Sequence, residues 1–396
     1  MGIGIGGAIH TAGSRRRVRH GAILPPLVSS VIHLKHSNGP VPALNFRPPQ
    51  FALSDEVEWV LRRALGPLEW RPPSAISGRI VADIAVRLDL AVRIAARHPR
   101  ERLDGELGRD AAEVLRKHFY DAVAQEALLK RGLEMVLREA RAFGVPCILL
   151  KYAALSRFGV LRVGGRTATD LDVLVPRAHA KHFQDALKRN GYKASGLPES
   201  NHQLPALRDP NGILVEVHVH VPGVTVGAGQ PFADADQLIG AGLTRQVDDA
   251  LLPDPAFVVA HALAHSLVQH ARAPHMYSPL KAFADLADLQ VSKCTEIEEA
   301  GRFLSAAMTP EDQAAAFALA RALSKGDLTQ ATDGAPGVLL RHAIASQLDG
   351  RYVTRLRLRV LTQRGPASVH ITPRRILAFV RAMWSRTRLL FNINKK

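Results

Sequence analysis

Arg166-Thr167-Ala168-Thr169-Asp170-Leu171-Asp172-Val173-Leu174-Val175 carries two aspartates one residue apart, at the head of a run that is otherwise apolar. From Asp170 onward it reads as a short buried strand, and strand side chains alternate between faces. Asp170 and Asp172 therefore share one face, while Leu171 and Val173 point into a core. A strand this apolar is expected inside a sheet rather than at a solvated edge. Two carboxylates on one face repel unless a cation stands between them. A divalent ion shared with substrate phosphates is the usual answer.

Downstream, Leu214-Val215-Glu216-Val217-His218-Val219-His220 alternates in the same way. Val215, Val217 and Val219 share one face; Glu216, His218 and His220 share the other. Asp209-Pro210-Asn211-Gly212 reads as a hairpin turn joining this strand, over 213–221, to another over 202–208. Beside the Asp170 strand, Glu216 supplies a third carboxylate, either as a metal ligand or as a general base. Three carboxylates on adjacent strands can hold two ions, one orienting nucleotide phosphates and one lowering the pKa of an attacking hydroxyl.

The texture around these strands alternates. Phe143-Gly144-Val145-Pro146 closes a helix, Cys147-Ile148-Leu149-Leu150 reads as a buried strand, and 151–158 suits a helix. Val163-Gly164-Gly165 forms a loop into the acidic strand. Pro176 opens a helix that ends at Asn190-Gly191. This places an α/β core over 143–222. A helical lead covers 51–142, with Ser54 as N-cap and Asp55, Glu56 and Glu58 in its first turn. A second helical region spans 253–347 from Asp254-Pro255. Residues 1–50 read as an irregular basic arm, and 348–396 as a basic amphipathic segment with Ile376, Phe379, Val380, Met383, Trp384 and Leu390 on one face. The expected class is α+β, a small mixed sheet flanked by N- and C-terminal helical segments.

The 396 residues suffice for two or three packed units, and 47% apolar with 22% charged residues is ordinary globular composition. No apolar run reaches the roughly 18 residues of a transmembrane helix. Lys plus Arg number 52 against 36 Asp plus Glu, a net +16 that favours anionic partners: nucleotides, nucleic acid or an acidic membrane. A chain rich in both Ala and Arg offers a purely compositional reason for the same excess. Cys147 and Cys294 form neither a metal-ligand spacing nor a disulfide framework, which fits a reducing, cytoplasmic setting. The basic run Arg15-Arg16-Arg17-Val18-Arg19 is followed by Pro25-Pro26 rather than by the apolar core of a secretory signal.

These motifs together resemble the nucleotidyltransferase superfamily of the DNA polymerase β type, and within it an uncharacterised bacterial nucleotidyltransferase family. The resemblance rests on Gly144-Val145-Pro146, Leu150-Lys151, Arg166 four residues before Asp170-Leu171-Asp172-Val173-Leu174-Val175, Glu216-Val217-His218, and then His261, His265 and Asp285-Leu286. It covers roughly residues 110–290. It implies transfer of a nucleoside monophosphate from an NTP to a small-molecule, sugar, peptide or protein acceptor, with Mg²⁺ or Mn²⁺ held by Asp170, Asp172 and Glu216. Lys151 and Arg166 would meet phosphate charge, although Arg166 reads equally as a structural partner of Asp170 or Asp172.

The family carries Lys-Gly where this chain has Lys151-Tyr152. Glycine there lets backbone approach the triphosphate. Either Gly164 and Gly165 supply phosphate contacts instead, or activity is altered. A non-catalytic binding homologue and an RNA-modifying nucleotidyltransferase are the competing readings. His261 and His265 lie on one helix face, without the Glu of a His-Glu-x-x-His zinc site. With His218 and Asp285 they are candidates for touching substrate. The C-terminal helix reads as packed on the body, with contact to a membrane or nucleic acid as its alternatives. At 5% aromatic residues, the chain offers no stacking platform for single-stranded nucleic acid.

Overall fold

A computed structural model describes residues 48–362, apart from residue 71 and residues 73–75, 197–199, 228–231, 271–276, 293–296 and 305–306. Nearly all of the expected basic arm, and the face built on Ile376, Trp384 and Leu390, lie outside the described residues.

The helical lead comprises α1 (Asp55–Leu65), α2 (Gly78–Arg87), α3 (Ala91–Arg97), α4 (Arg100–Leu107) and α5 (Arg109–Ala142). Ser54 caps α1, its hydroxyl accepting from the Val57 amide at 3.4 Å, and the acidic first turn complements the helix dipole. Between α2 and α3 the chain turns at Asp89, whose φ of 60° is left-handed. For a non-glycine residue that conformation costs about 1–2 kcal/mol, and here it aims a carboxylate toward the site described below. The long α5 buries Leu129, Leu133, Val136 and Leu137. It crosses the sheet closely at Gly132, where a Cβ would stand 3.2 Å from both Leu171 Cδ1 and Asp209 Oδ2.

The core follows as β1 (Ile148–Leu149), α6 (Lys151–Arg157), β2 (Asp170–Leu174), α7 (Arg177–Arg189), β3 (Lys193–Ala194), β4 (Leu207–Arg208) and β5 (Leu214–His218). Next come a two-stranded ribbon, β6 (Val221–Pro222) with β7 (Phe232–Ala233), then α8 (Ala235–Gly240), β8 (Thr244–Val247) and β9 (Ala250–Pro253). The main sheet has seven strands in the order β3-β4-β5-β2-β1-β9-β8. It is mixed: β2 pairs parallel with β5 and antiparallel with β1, and β1 pairs parallel with β9. Thus β8 and β9 carry the sheet past residue 222, where the α/β alternation of the sequence stops.

Two local choices explain why the chain takes this path. Parallel neighbours need a crossover, and α7 with the β3–β4 ribbon supplies it between β2 and β5. The β4–β5 turn closes because Asp209 Oδ1 accepts from the amides of Asn211 and Ile213, each at 2.8 Å, and Gly212 takes φ 87°. Central placement of β2 then buries Leu171, Val173 and Leu174 completely.

The chain continues through α9 (Pro255–Leu263), a π-helical turn (Ala264–Gln269), α10 (Pro279–Val291), a 3₁₀ turn (Ile297–Ala300), α11 (Gly301–Leu304), α12 (Pro310–Lys325), α13 (Leu328–Thr332), α14 (Gly334–Leu348) and α15 (Gly350–Thr362). Asp254 caps α9, accepting from the Ala256 amide at 2.8 Å. The two helical regions meet: Arg93 of α3 forks onto Asp288 of α10, and Arg62 of α1 donates to the Gly326 carbonyl at 2.6 Å. The architecture is α+β, a mixed sheet with helices on its flanks. No helix among the described residues is long and apolar enough to cross a membrane.

Candidate active site

The β2–β5 register sets Asp172 opposite Glu216 and Leu174 opposite His218. Because residues two apart share a face, Asp170 and Asp172 from one strand and Glu216 and His218 from the next line the same side of the sheet. His218 Nε2 lies 2.9 Å from Asp172 Oδ1 and 3.6 Å from Glu216 Oε2. One donor atom each from Asp172, Glu216 and His218 falls within 4.8 Å of the others. Asp170, at the mouth of the strand, stands outside that trio but bears on it electrostatically.

Lys151 completes the cluster. Its Nζ lies 2.7 Å from Asp172 Oδ1. The residue opens α6 directly after β1, and the Leu150 amide donates to the Asp172 carbonyl at 3.1 Å. The turn from strand to helix is made at Lys151 itself, with φ 45°. Non-glycine backbone is strained there, and strain of this kind persists where surrounding contacts over-determine it, commonly at functional sites. Burial alone would lower the lysine pKa, but Asp172, Asp170 and Glu216 outweigh it and hold the ammonium charged.

The two aspartates diverge. Burial alone would raise Asp172, but the Lys151 ammonium and the His218 imidazole overcome it and hold the carboxyl well below its ordinary range. For Asp170, burial and then the charge of Asp172 push the pKa up, and Lys151 only partly offsets them. Burial alone would lower His218, but the hydrogen bond to Asp172 and the nearby Glu216 carboxylate outweigh it and raise the imidazole.

Arg166 turns elsewhere. Its guanidinium forks onto Asp285 of α10, with Nε–Oδ1 at 2.8 Å and Nη2–Oδ2 at 3.0 Å, both side chains nearly buried. The adjacent Thr167 hydroxyl bridges Asp89 at 2.9 Å, and Lys281 donates to that hydroxyl at 2.8 Å while pairing with Asp89 at 3.2 Å. The segment entering β2 is thus bolted to the α2–α3 corner and to α10. Asp285, read from sequence as a substrate candidate, is the partner of Arg166.

Gly164 and Gly165 are committed to packing. The Gly164 amide donates to Glu126 of α5 at 2.7 Å, its φ is +65°, and a Cβ would meet Val123 Cγ2 at 2.5 Å. A Cβ on Gly165 would meet the Arg162 carbonyl at 3.0 Å. Tyr152, in the family's glycine position, is 3% exposed and belongs to the core.

A wall of imidazoles borders the acids. His218 stacks on His202 with ring centroids 5.5 Å apart, and His220 packs on Phe232 at 4.5 Å. On the other side His261 and His265 meet edge to face at 6.0 Å, and His265 Nε2 lies 3.2 Å from His270 Nε2. Tyr277 stacks on His270 at 5.5 Å. Burial, then the Lys151 charge, lowers His261 to about 3 and His270 to about 4, so both rings are neutral at pH 7. His265 sits in the π-helical turn, a geometry often found at functional sites.

Lys281, Asp89, Thr167, His202 and Tyr277 do not stand out in the sequence. Lys281 had one available signal, since it precedes Asp285 by four residues on a helix and so shares its face. Asp89 had none, because its role comes from a left-handed corner.

A divalent ion fits this donor set on two grounds. Three carboxylates face one lysine and one imidazole, and two acid oxygens lie close to the His218 nitrogen. This acid cluster on a parallel seam beside the half-buried Lys151 is a candidate cation site. The family profile described as uncharacterised nucleotidyltransferase matches residues 79–321, well over half of the chain, and the chain belongs to that family. Among solved structures, the antibiotic-resistance factor ANT(2'')-Ia is similar at 11% identity, with 58% of this chain and 90% of that one covered and a TM-score of 0.27. No curated protein matches the chain.

Proposed function

We propose that the protein transfers a nucleoside monophosphate from an NTP to an acceptor hydroxyl or amine, releasing pyrophosphate. The observation that carries this reading is the Asp172–Glu216 register, which brings two strands' acids together at the half-buried Lys151. Asp172 and Glu216, with Asp170 at the strand mouth, would hold Mg²⁺ or Mn²⁺. When bound, such a cation would supply neutralisation of phosphate charge and a lower pKa for the acceptor.

The chain's own groups have separable tasks. Lys151 carries the positive charge nearest the acids and can turn from Asp172 toward an incoming phosphate. Glu216, less buried than Asp172, can take the acceptor's proton as its lone pair attacks the α-phosphorus and the bond to the bridging oxygen breaks. The Arg166–Asp285 pair holds the approach to β2 in place. Tyr152, buried in the core, does not project into open cleft, which removes the main support for a non-catalytic homologue.

The test is incubation with each labelled NTP, Mg²⁺ and a pool of acceptors. Wild type should release pyrophosphate, and Asp172→Ala should not. Failure of the wild-type chain to bind any divalent ion would overturn the reading.

A further inference from the structure

The sequence places His218 two residues after Glu216 on the same strand face, and the fold directs its ring at Asp172. A histidine beside a carboxylate is ordinarily that acid's hydrogen-bond partner. Here the same nitrogen has two acid oxygens around it, Asp172 Oδ1 at 2.9 Å and Glu216 Oε2 at 3.6 Å. One N–H points in one direction and cannot serve both well. Asp172, Glu216 and His218 each offer a donor atom within 4.8 Å of the others, a spacing that one ion can span.

We propose that His218 is a nitrogen ligand of the bound cation, and that the site therefore takes a borderline divalent ion of the Mn²⁺–Co²⁺–Zn²⁺ class in preference to Mg²⁺. This rests on the cation site of the proposed function and names its metal. Adjacent ligands of an octahedral ion with bonds of about 2.1 Å stand about 3.0 Å apart, and opposite ones about 4.2 Å. The His218–Asp172 and His218–Glu216 separations both lie within what one ion spans. His218 is 3% exposed and its ring is steadied by the His202 stack, so the nitrogen is held in place before any ion arrives. Imidazole nitrogen is a poor ligand for hard Mg²⁺, which prefers oxygen, and a good one for later ions. Two carboxylates with one imidazole shift the preference without excluding Mg²⁺.

The experiment uses the full chain, stripped of metal, with Mn²⁺ and no nucleotide. Electron spin-echo modulation reports a directly bound ¹⁴N, and the free Mn²⁺ signal gives affinity, with Mg²⁺ as competitor. The expected result is ¹⁴N modulation in wild type that disappears in His218→Gln. Mn²⁺ affinity should fall about tenfold or more in that variant, and Mg²⁺ affinity should change less than about threefold. Should His218→Gln not fold, the unmutated chain grown with ¹⁵N-histidine answers instead, by exchanging the ¹⁴N pattern for that of ¹⁵N. Mn²⁺ bound without a nitrogen signal would overturn the proposal and leave the carboxylate site standing, with His218 only orienting Asp172 or accepting a proton. No Mn²⁺ binding at all would overturn both.

Discussion

Two buried charge clusters meet where the chain enters β2, and they are balanced differently. On the α10 side three cations each have an acid: Arg166 forks onto Asp285, Lys281 pairs with Asp89, and Arg93 forks onto Asp288. On the β5 side Asp170, Asp172 and Glu216 share Lys151 and the His218 imidazole. A closed set of pairs is a fastening. The second cluster, whose Asp172, Glu216 and His218 donors lie within 4.8 Å of one another, is the candidate cation site. The difference teaches that burial and charge alone do not mark a candidate site; acids gathered around fewer cations do.

The largest effect should come from the unbalanced side. Asp172→Asn removes the acid that Lys151 and His218 both face, and NTP-dependent pyrophosphate release should fall at least about a hundredfold, equivalent to about 2.7 kcal/mol of barrier. A variant with more than a tenth of wild-type turnover would place the essential acid elsewhere.

On the balanced side, breakage should appear as lost stability. Asp285→Asn leaves Arg166 buried without its counter-charge and should cost about 3–5 kcal/mol in denaturant unfolding, whereas Arg166→Met with Asp285→Leu should recover most of it. If the double variant folded well but lost all nucleotide binding, the pair would belong to the site after all.

Gly164→Ala sharpens the boundary between the clusters. A Cβ there strikes Val123 and sits on left-handed backbone, so a loss of about 1–3 kcal/mol is expected, with divalent affinity unchanged. Weaker Mn²⁺ binding in a still-folded variant would give the glycine a direct role.

The smallest effect has the opposite sign. Asp170 has a raised pKa, so between the ordinary carboxylate value and that raised one the folded chain binds more protons than the unfolded chain. Stability contributed by Asp170 therefore falls as pH rises through that window. Asp172, held low, acts in reverse: its contribution is present above the ordinary value and lost as pH falls. Without metal, Asp170→Asn should stabilise the protein at pH 7 by about 1 kcal/mol. In wild type, the melting-temperature gain on adding Mg²⁺ should grow as pH rises from about 4. A gain independent of pH would mean that Asp170 stays out of the cation's field.

Much of the site could be read because strands alternate. Asp170 and Asp172 share a face, as do Glu216 and His218, by spacing alone, and the Asp209–Gly212 turn declared itself through residue types that close turns. The register joining the two faces could not be read. Whether Glu216 meets Asp172 depends on α7 and β3–β4, whose length permits several alignments. The destination of Arg166 was equally hidden: Asp285 lies 119 residues away, and nearer acids looked as plausible. Of the histidine wall, His218, His261 and His265 were legible as candidates, whereas His202 escaped because it gains meaning only beside rings from other elements. Gly164 misled for a related reason, since a left-handed turn packed on a helix and one cradling a phosphate call for the same residue.

The parallel pairing of β2 and β5 also governs when the site exists. Asp172 and His218 are 46 residues apart, with a helix and a two-strand ribbon between them. No local hairpin can bring them together, and contacts of that separation form slowly because the loop must close first. A nascent chain therefore cannot bind the ion through this trio until the crossover has docked. A cation that grips only the finished seam should act as a latch: it slows unfolding and lengthens the lifetime of the native state, while leaving the rate of reaching it nearly unchanged.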